Sequence, residues 1–109
     1  MLKYNSGKYI GQVVNGIREG KGIYYWNTGE IYEGEWKNDK MEGKGIIYWN
    51  VEPWKGDRYE GDYKNGKREG KGIYNYNNGD RQMGDYYNDD PIGKHVRLTK
   101  NGGVKIENY

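Results

Sequence analysis

From Tyr32 to Lys37 the chain reads Tyr-Glu-Gly-Glu-Trp-Lys, a ring or a glycine alternating with a charge. That period of two predicts a strand with one face toward packing and the other toward water. Asn38-Asp39 follows, residue types that tolerate the positive φ of tight hairpin turns, and Gly43-Lys44-Gly45-Ile46-Ile47-Tyr48-Trp49 returns as a second strand. The pattern starts again at Tyr9, Tyr59 and Gln82, so four segments align over 23 positions with one insertion of four residues in the second. The third position is Gly11, Gly34, Gly61 and Gly84, and the seventh is Asn15, Asn38, Asn65 and Asn88. The twelfth is Gly20, Gly43, Gly70 and Gly93, and the fourteenth is Gly22, Gly45, Gly72 and then His95. Position fifteen is β-branched throughout, as Ile23, Ile46, Ile73 and Val96. No window carries a sustained helical stripe.

These hairpins predict an all-β fold, an elongated single-layer antiparallel sheet of consecutive β-hairpins. One domain is expected over 1–109, with repeats at about 9–31, 32–58, 59–81 and 82–104, a partial half-repeat at 1–8 and a C-terminal end at 105–109. Eight strands at about 4.8 Å each give a ribbon roughly 40 Å long, with Val104-Lys105-Ile106 as a candidate last strand. Positions 1, 3 and 5 of the first strand share a face with positions 12, 14, 16 and 18 of the second. Tyrosines, tryptophans and glycines therefore gather on one side, where rings can lie across bare backbone and hold a sheet together without a second layer.

Composition sharpens this reading. There are 19 glycines, 13 tyrosines and 4 tryptophans, but no alanine, cysteine or phenylalanine, and Ile, Leu and Val together number only 16. A helical bundle lacks its usual formers, and a disulfide-stapled mini-protein is excluded. The net charge of +2, with Lys and Glu interleaved, argues against a nucleic-acid binder. Met1-Leu2-Lys3-Tyr4 offers no apolar signal segment, which points to a cytoplasmic setting.

Tyr32-Glu-Gly-Glu-Trp-Lys-Asn with Gly43-Lys-Gly, and Tyr59-Glu-Gly-Asp-Tyr-Lys-Asn-Gly-Lys-Arg-Glu-Gly-Lys-Gly-Ile-Tyr, closely resemble the MORN (membrane occupation and recognition nexus) repeat. The resemblance runs from Tyr9 to about Gly102. It implies a non-catalytic interaction or scaffold module, and the family's name adds peripheral binding to anionic phospholipids or phosphoinositides, at a membrane or cytoskeletal periphery. Two departures stand out. Glu19, Glu42 and Glu69 replace a histidine common before the second glycine, and the fourth unit puts Gln82, Pro91, His95 and Arg97 at positions kept regular elsewhere. That unit reads as a cap ending the sheet against water.

Catalytic chemistry is poorly provided for. His95 has no cysteine or second histidine to work with, and Ser6 lies at the other end of the ribbon. Gly20-Lys-Gly22 and its repeats lack the helix that a phosphate loop needs. Glu33, Glu35, Glu60 and Asp62 fall on the face opposite the rings and are expected to pair with Lys37, Lys44, Lys64 and Lys71. No enzyme activity, cofactor or metal is expected. The partner-binding candidates are the rings Tyr24, Trp26, Tyr32, Trp36, Trp49, Tyr59, Tyr63, Tyr74 and Tyr76, along a concave face that would take a peptide or helix segment. Trp54 joins them, because it lies in the insertion Asn50–Gly56 and insertions in repeat arrays form loops that often bind. A homodimer through sheet edges or the ring face is a further expectation. Binding to an anionic membrane surface ranks lower, because no run of basic residues is free of nearby carboxylates.

Overall fold

The computed structural model describes residues 1–109, and the fold is one open antiparallel sheet with its strands in chain order. The strands are β1 (Leu2–Tyr4), β2 (Gly7–Val14), β3 (Ile17–Trp26), β4 (Glu30–Lys37), β5 (Lys40–Trp49), β6 (Arg58–Lys64), β7 (Lys67–Asn75), β8 (Arg81–Tyr87), β9 (Asp90–Leu98) and β10 (Val104–Asn108). Eight of these are the expected hairpin strands; the candidate last strand at Val104-Lys105-Ile106 forms as β10 and runs on to Asn108, and the N-terminal half-repeat adds β1. The molecule is correspondingly longer than the sequence suggested, measuring 48 × 25 × 18 Å.

Each unit is a hairpin closed by a two-residue turn with both central φ angles positive. They are 51° and 77° at Asn15-Gly16, 49° and 71° at Asn38-Asp39, 52° and 83° at Asn65-Gly66, and 52° and 76° at Asn88-Asp89. Asparagine, aspartate and glycine are the residues that adopt these angles at least cost, and the resulting turn matches the twist of the flanking strands. A bulge interrupts every hairpin, between Gly11 and Val13, Gly34 and Trp36, Gly61 and Tyr63, and Met83 and Asp85. The extra residues lie in the second strand, where the twelfth-position glycine takes φ of 90°, 73°, 89° and 70° in turn, the conformation a bulge asks of its glycine.

The register sets two rows side by side on one face. One row runs Tyr9, Tyr24, Tyr32, Ile47, Tyr59, Tyr74 and Gln82 from β2 to β8. Next to it the glycines Gly11, Gly22, Gly34, Gly45, Gly61, Gly72 and Gly84 stand directly opposite one another. The Tyr9, Tyr32 and Tyr59 rings lie over Gly22, Gly45 and Gly72, so a Cβ at any of those glycines would collide with a ring. The Tyr9 hydroxyl donates to the Gln12 carbonyl at 2.7 Å, and Tyr32 to that of Glu35 at 2.8 Å. From Tyr9 the rings continue edge to face through Trp36, Tyr32, Tyr63, Tyr59, Tyr86, His95 and Tyr109, with centroids 4.8 to 5.9 Å apart. Such pairs each contribute about 0.5–1.5 kcal/mol beyond the area they bury. This file of rings is the core, and it covers the sheet without a second layer.

The opposite face carries a row alternating in character: Ile23, Glu33, Ile46, Glu60 and Ile73 from β3 to β7. The expected carboxylate pairs form only in part. Lys44 bridges Asp62, but Glu60 meets Arg58 at 3.7 Å and Lys64 meets Glu69 at 4.0 Å. Glu35 instead accepts the Lys44 backbone N–H at 2.5 Å, as Gln12 accepts that of Lys21 at 2.7 Å. The bulge leaves that N–H without a strand partner, and the fourth-position side chain takes it.

Candidate functional site

The ten rings singled out from the sequence divide sharply by exposure. Tyr24, Tyr32, Trp36, Tyr59 and Tyr63 are buried, with Tyr32 and Tyr59 at 0%. They hold the sheet and offer no surface to a partner, because each ring covers glycine backbone or abuts the next ring. Burial also pushes the Tyr32, Tyr59 and Tyr63 hydroxyls well above the ordinary tyrosine range. Trp26, Trp49, Tyr74 and Tyr76 are half-buried, and the Tyr76 ring also carries the Arg97 guanidinium at 4.0 Å. Tyr24 packs at a tilt against Trp26 at 4.7 Å, Trp49 against Tyr74 at 5.4 Å and Tyr74 against Tyr76 at 4.7 Å. These open rings lie at the strand ends nearest the turns that connect one hairpin to the next.

Trp54 is half exposed, at 51%, on a well-tethered loop. The Trp54 and Asp57 N–H groups donate to Val51 and Trp54 carbonyls at 3.1 and 2.8 Å, and Gly56 N–H to Trp49 at 2.9 Å. Asn77 ties the loop to the next unit by donating from Nδ2 to the Lys55 carbonyl at 2.9 Å. Beneath, buried Asp57 accepts the Asn77 N–H at 2.7 Å and the Tyr74 hydroxyl at 2.6 Å. The insertion therefore presents its tryptophan from a fixed base.

Three seams join the successive units, and their backbones are equivalent. At each, the second turn residue donates its N–H to the tenth-position carbonyl of the preceding unit: Asp39 to Arg18 at 3.0 Å, Gly66 to Met41 at 3.0 Å and Asp89 to Arg68 at 3.1 Å. The side chains differ. Arg18 donates from Nε to Asp39 Oδ1 at 2.7 Å, with its guanidinium 4.5 Å from the Trp36 ring and 4.7 Å from that of Tyr4. Arg68 does the same to Asp89 at 2.9 Å, over Tyr86 at 5.1 Å and Tyr59 at 5.3 Å. The Arg18 hydrogen bonds hold the Asp39 carboxyl below the usual carboxylate range. The middle seam has neither group. Met41 and Gly66 stand there, and a cavity of about 170 Å³ opens among Trp26, Glu30, Met41, Ile47, Trp49, Tyr63, Gly66 and Asp89.

Sequence reasoning found the rings but not these seams. The signal was present as a period of two units: Arg18 and Arg68 alternate with Met41 and Pro91, and Asn-Gly turns alternate with Asn-Asp turns. The unexplained glutamates have a place here too, since Glu19 and Glu42 accept the Asn38 and Asn65 N–H groups of the following turns at 3.1 and 3.0 Å.

The fourth unit ends the array differently. Gln82 is too short to cover Gly84, and the His95 ring lies over that glycine instead. Its Nε2 bonds the Asp85 carbonyl at 2.9 Å, the same fourth-position carbonyl that tyrosine hydroxyls reach in the first two units. With Nε2–H as donor, Nδ1 accepts from Gln82 Nε2 at 3.2 Å. The ring has moved from the first strand of the hairpin to the second. A larger recess of about 780 Å³ lies on the opposite face, between the isoleucine row and a row in which Lys44, Lys71 and Lys94 alternate with Asp62 and Asp85. It has no aromatic lining.

A family model described as MORN repeat matches residues 9–31, 32–51 and 59–81. No curated protein sequence matches the chain.

Proposed function

Because the chain belongs to the MORN repeat family, whose members are generally protein or membrane interaction modules without catalysis, we propose that it is a scaffold that binds a partner protein segment along its open rings. The observation that supports this is the set of half-buried rings Trp26, Trp49, Tyr74 and Tyr76, together with the exposed Trp54 on its tethered loop. Large flat side chains already fixed by packing lose little freedom on binding, which is why Tyr and Trp dominate interface energetics. The segment lies across the strand ends, against the exposed edges of these rings.

A membrane surface fits less well. Lys44 is paired with Asp62, Lys64 with Glu69 and Arg68 with Asp89, so these basic groups carry their own counter-charges. Selection from a random peptide library against residues 1–109 tests the proposal. Selected peptides should lose at least about tenfold in affinity on Trp49→Ala or Tyr76→Ala, the loss of one hot-spot ring. Binding unaffected by these changes but abolished by Ile46→Asp would move the site to the other face. Flotation with phosphatidylserine vesicles at low salt, absent any peptide binding, would favour the membrane instead.

A further inference from the structure

The chain fills two of its three seams with a guanidinium and leaves the third empty. At the middle seam the backbone bond from Gly66 to Met41 matches the other two, so the same space exists above it. A Cβ placed on Gly66 would meet no heavy atom within 4 Å, whereas an aspartate occupies that position at the other seams. The apolar lining of the remaining cavity comes from Trp26, Trp49, Tyr63, Met41 and Ile47. Two carboxylates line it, Glu30 and Asp89, and no lysine or arginine does. Arg68 holds Asp89 through Oδ1, and Thr28 holds Glu30 through Oε1, so each carboxylate keeps a second oxygen.

We infer that this cavity is a binding site for the arginine side chain of a partner peptide, which supplies from outside the group that Arg18 and Arg68 supply from within. The inference rests on the ring face being the partner-binding face. An arginine matches every wall at once: its aliphatic stem against Met41, its plane on the indoles, and its charge toward Glu30 and Asp89. A leucine would satisfy the methionine and the rings but leave Glu30, which has no ion pair of its own, without a counter-charge. Lysine meets the charge but lacks the planar face that stacks on an aromatic ring. Arg18 and Arg68 show the mode, with guanidinium-to-ring distances of 4.5 to 5.3 Å beside an aspartate.

The test uses the full 109-residue chain, ¹⁵N-labelled, and three blocked tripeptides: acetyl-Gly-Arg-Gly-amide and its citrulline and leucine counterparts. The arginine peptide should shift the Trp26 and Trp49 indole N–H signals saturably. Citrulline, equal in shape but uncharged, should bind at least about fivefold more weakly, the loss for removing a cation from aromatic walls. The graft Met41→Arg with Gly66→Asp installs the residue pair of the other seams and should abolish the arginine response while keeping the folded spectrum. Should the graft fail to fold, Glu30→Gln should still weaken the arginine peptide several-fold. Equal binding of the leucine or citrulline peptide, no binding of any peptide, or an undiminished response in the folded graft or in Glu30→Gln would overturn the site. Library peptides that depend on Tyr76 while no tripeptide binds would remove this site and leave the wider partner-binding reading standing.

Discussion

The first and third seams differ from the middle one in two side chains each, on a backbone that does not change. Arg18-Asp39 and Arg68-Asp89 lock their turns to the neighbouring hairpin with an ion pair, a second bond from the guanidinium to the turn carbonyl, and contact with rings. Met41-Gly66 keeps the backbone bond alone and adds a cavity. A repeat array can therefore hold its geometry through main-chain pairing and rings while its seams are free to differ. The ribbon consists of two clamped pairs of units joined by a junction without the arginine–aspartate clamp, and the insertion falls in the second unit.

The largest effect that would sharpen this comparison comes from removing a ring on either side. Trp36→Ala should cost about 3–5 kcal/mol in urea unfolding. Tyr63→Ala should cost less, because Trp36 also carries the Arg18 stack and donates from Nε1 to the Gly22 carbonyl at 3.2 Å, while the Tyr63 hydroxyl has no partner. An equal or larger cost at Tyr63 would mean that the clamp adds nothing to its ring.

Next in size is the fourth unit, where regularity is broken by exchange rather than by loss. His95→Gly alone should cost about 2–4 kcal/mol, since it bares Gly84 and removes a link in the ring file. Adding Gln82→Tyr restores the ring to the first strand and should recover most of that. A double-mutant cycle measures the recovery, and additive costs would show that the two departures are unrelated.

A smaller change converts one kind of seam into the other. Arg18→Met with Asp39→Gly should lose about 1 kcal/mol, a modest figure because Asp39 is half exposed and its charge is screened. Amide exchange at the first seam should then rise to the level of the middle seam. Thermal unfolding unaltered by the conversion would mean that the clamps are decorative.

The smallest effect is on pH. Asp39 has its folded pKa lowered by the Arg18 hydrogen bonds, so its contribution is fully present above the unfolded aspartate value, about 3.9, and is lost as pH falls through the lower folded value. Exchange at the first seam should accelerate in that acid window relative to the Arg18→Met, Asp39→Gly form. Parallel profiles for the two proteins would refute the assignment.

Much of this molecule was legible in its sequence. The Asn-Gly and Asn-Asp turns, the twenty-three-residue period and the split between ring face and charged face all follow from residue types whose backbone preferences are local. The insertion and the histidine were visible as irregularities. Their consequences were not, because those depend on which atoms approach across neighbouring units. His95 looked like a terminal oddity until its ring was found over Gly84, in the place a tyrosine fills elsewhere. Exposure was likewise hidden: Tyr32 and Tyr76 are the same residue type on the same face, yet only the second has an open edge.

By itself, then, the sequence determined the hairpins, their order and the single layer, since turn chemistry and a period of two act between residues close in the chain. The tertiary structure decided which rings are core and which are surface, and where a seam is closed or left hollow. Those outcomes rest on contacts between side chains some twenty residues apart, such as Arg18 with Asp39, whose meeting is fixed by strand register and by the space that neighbouring rings leave.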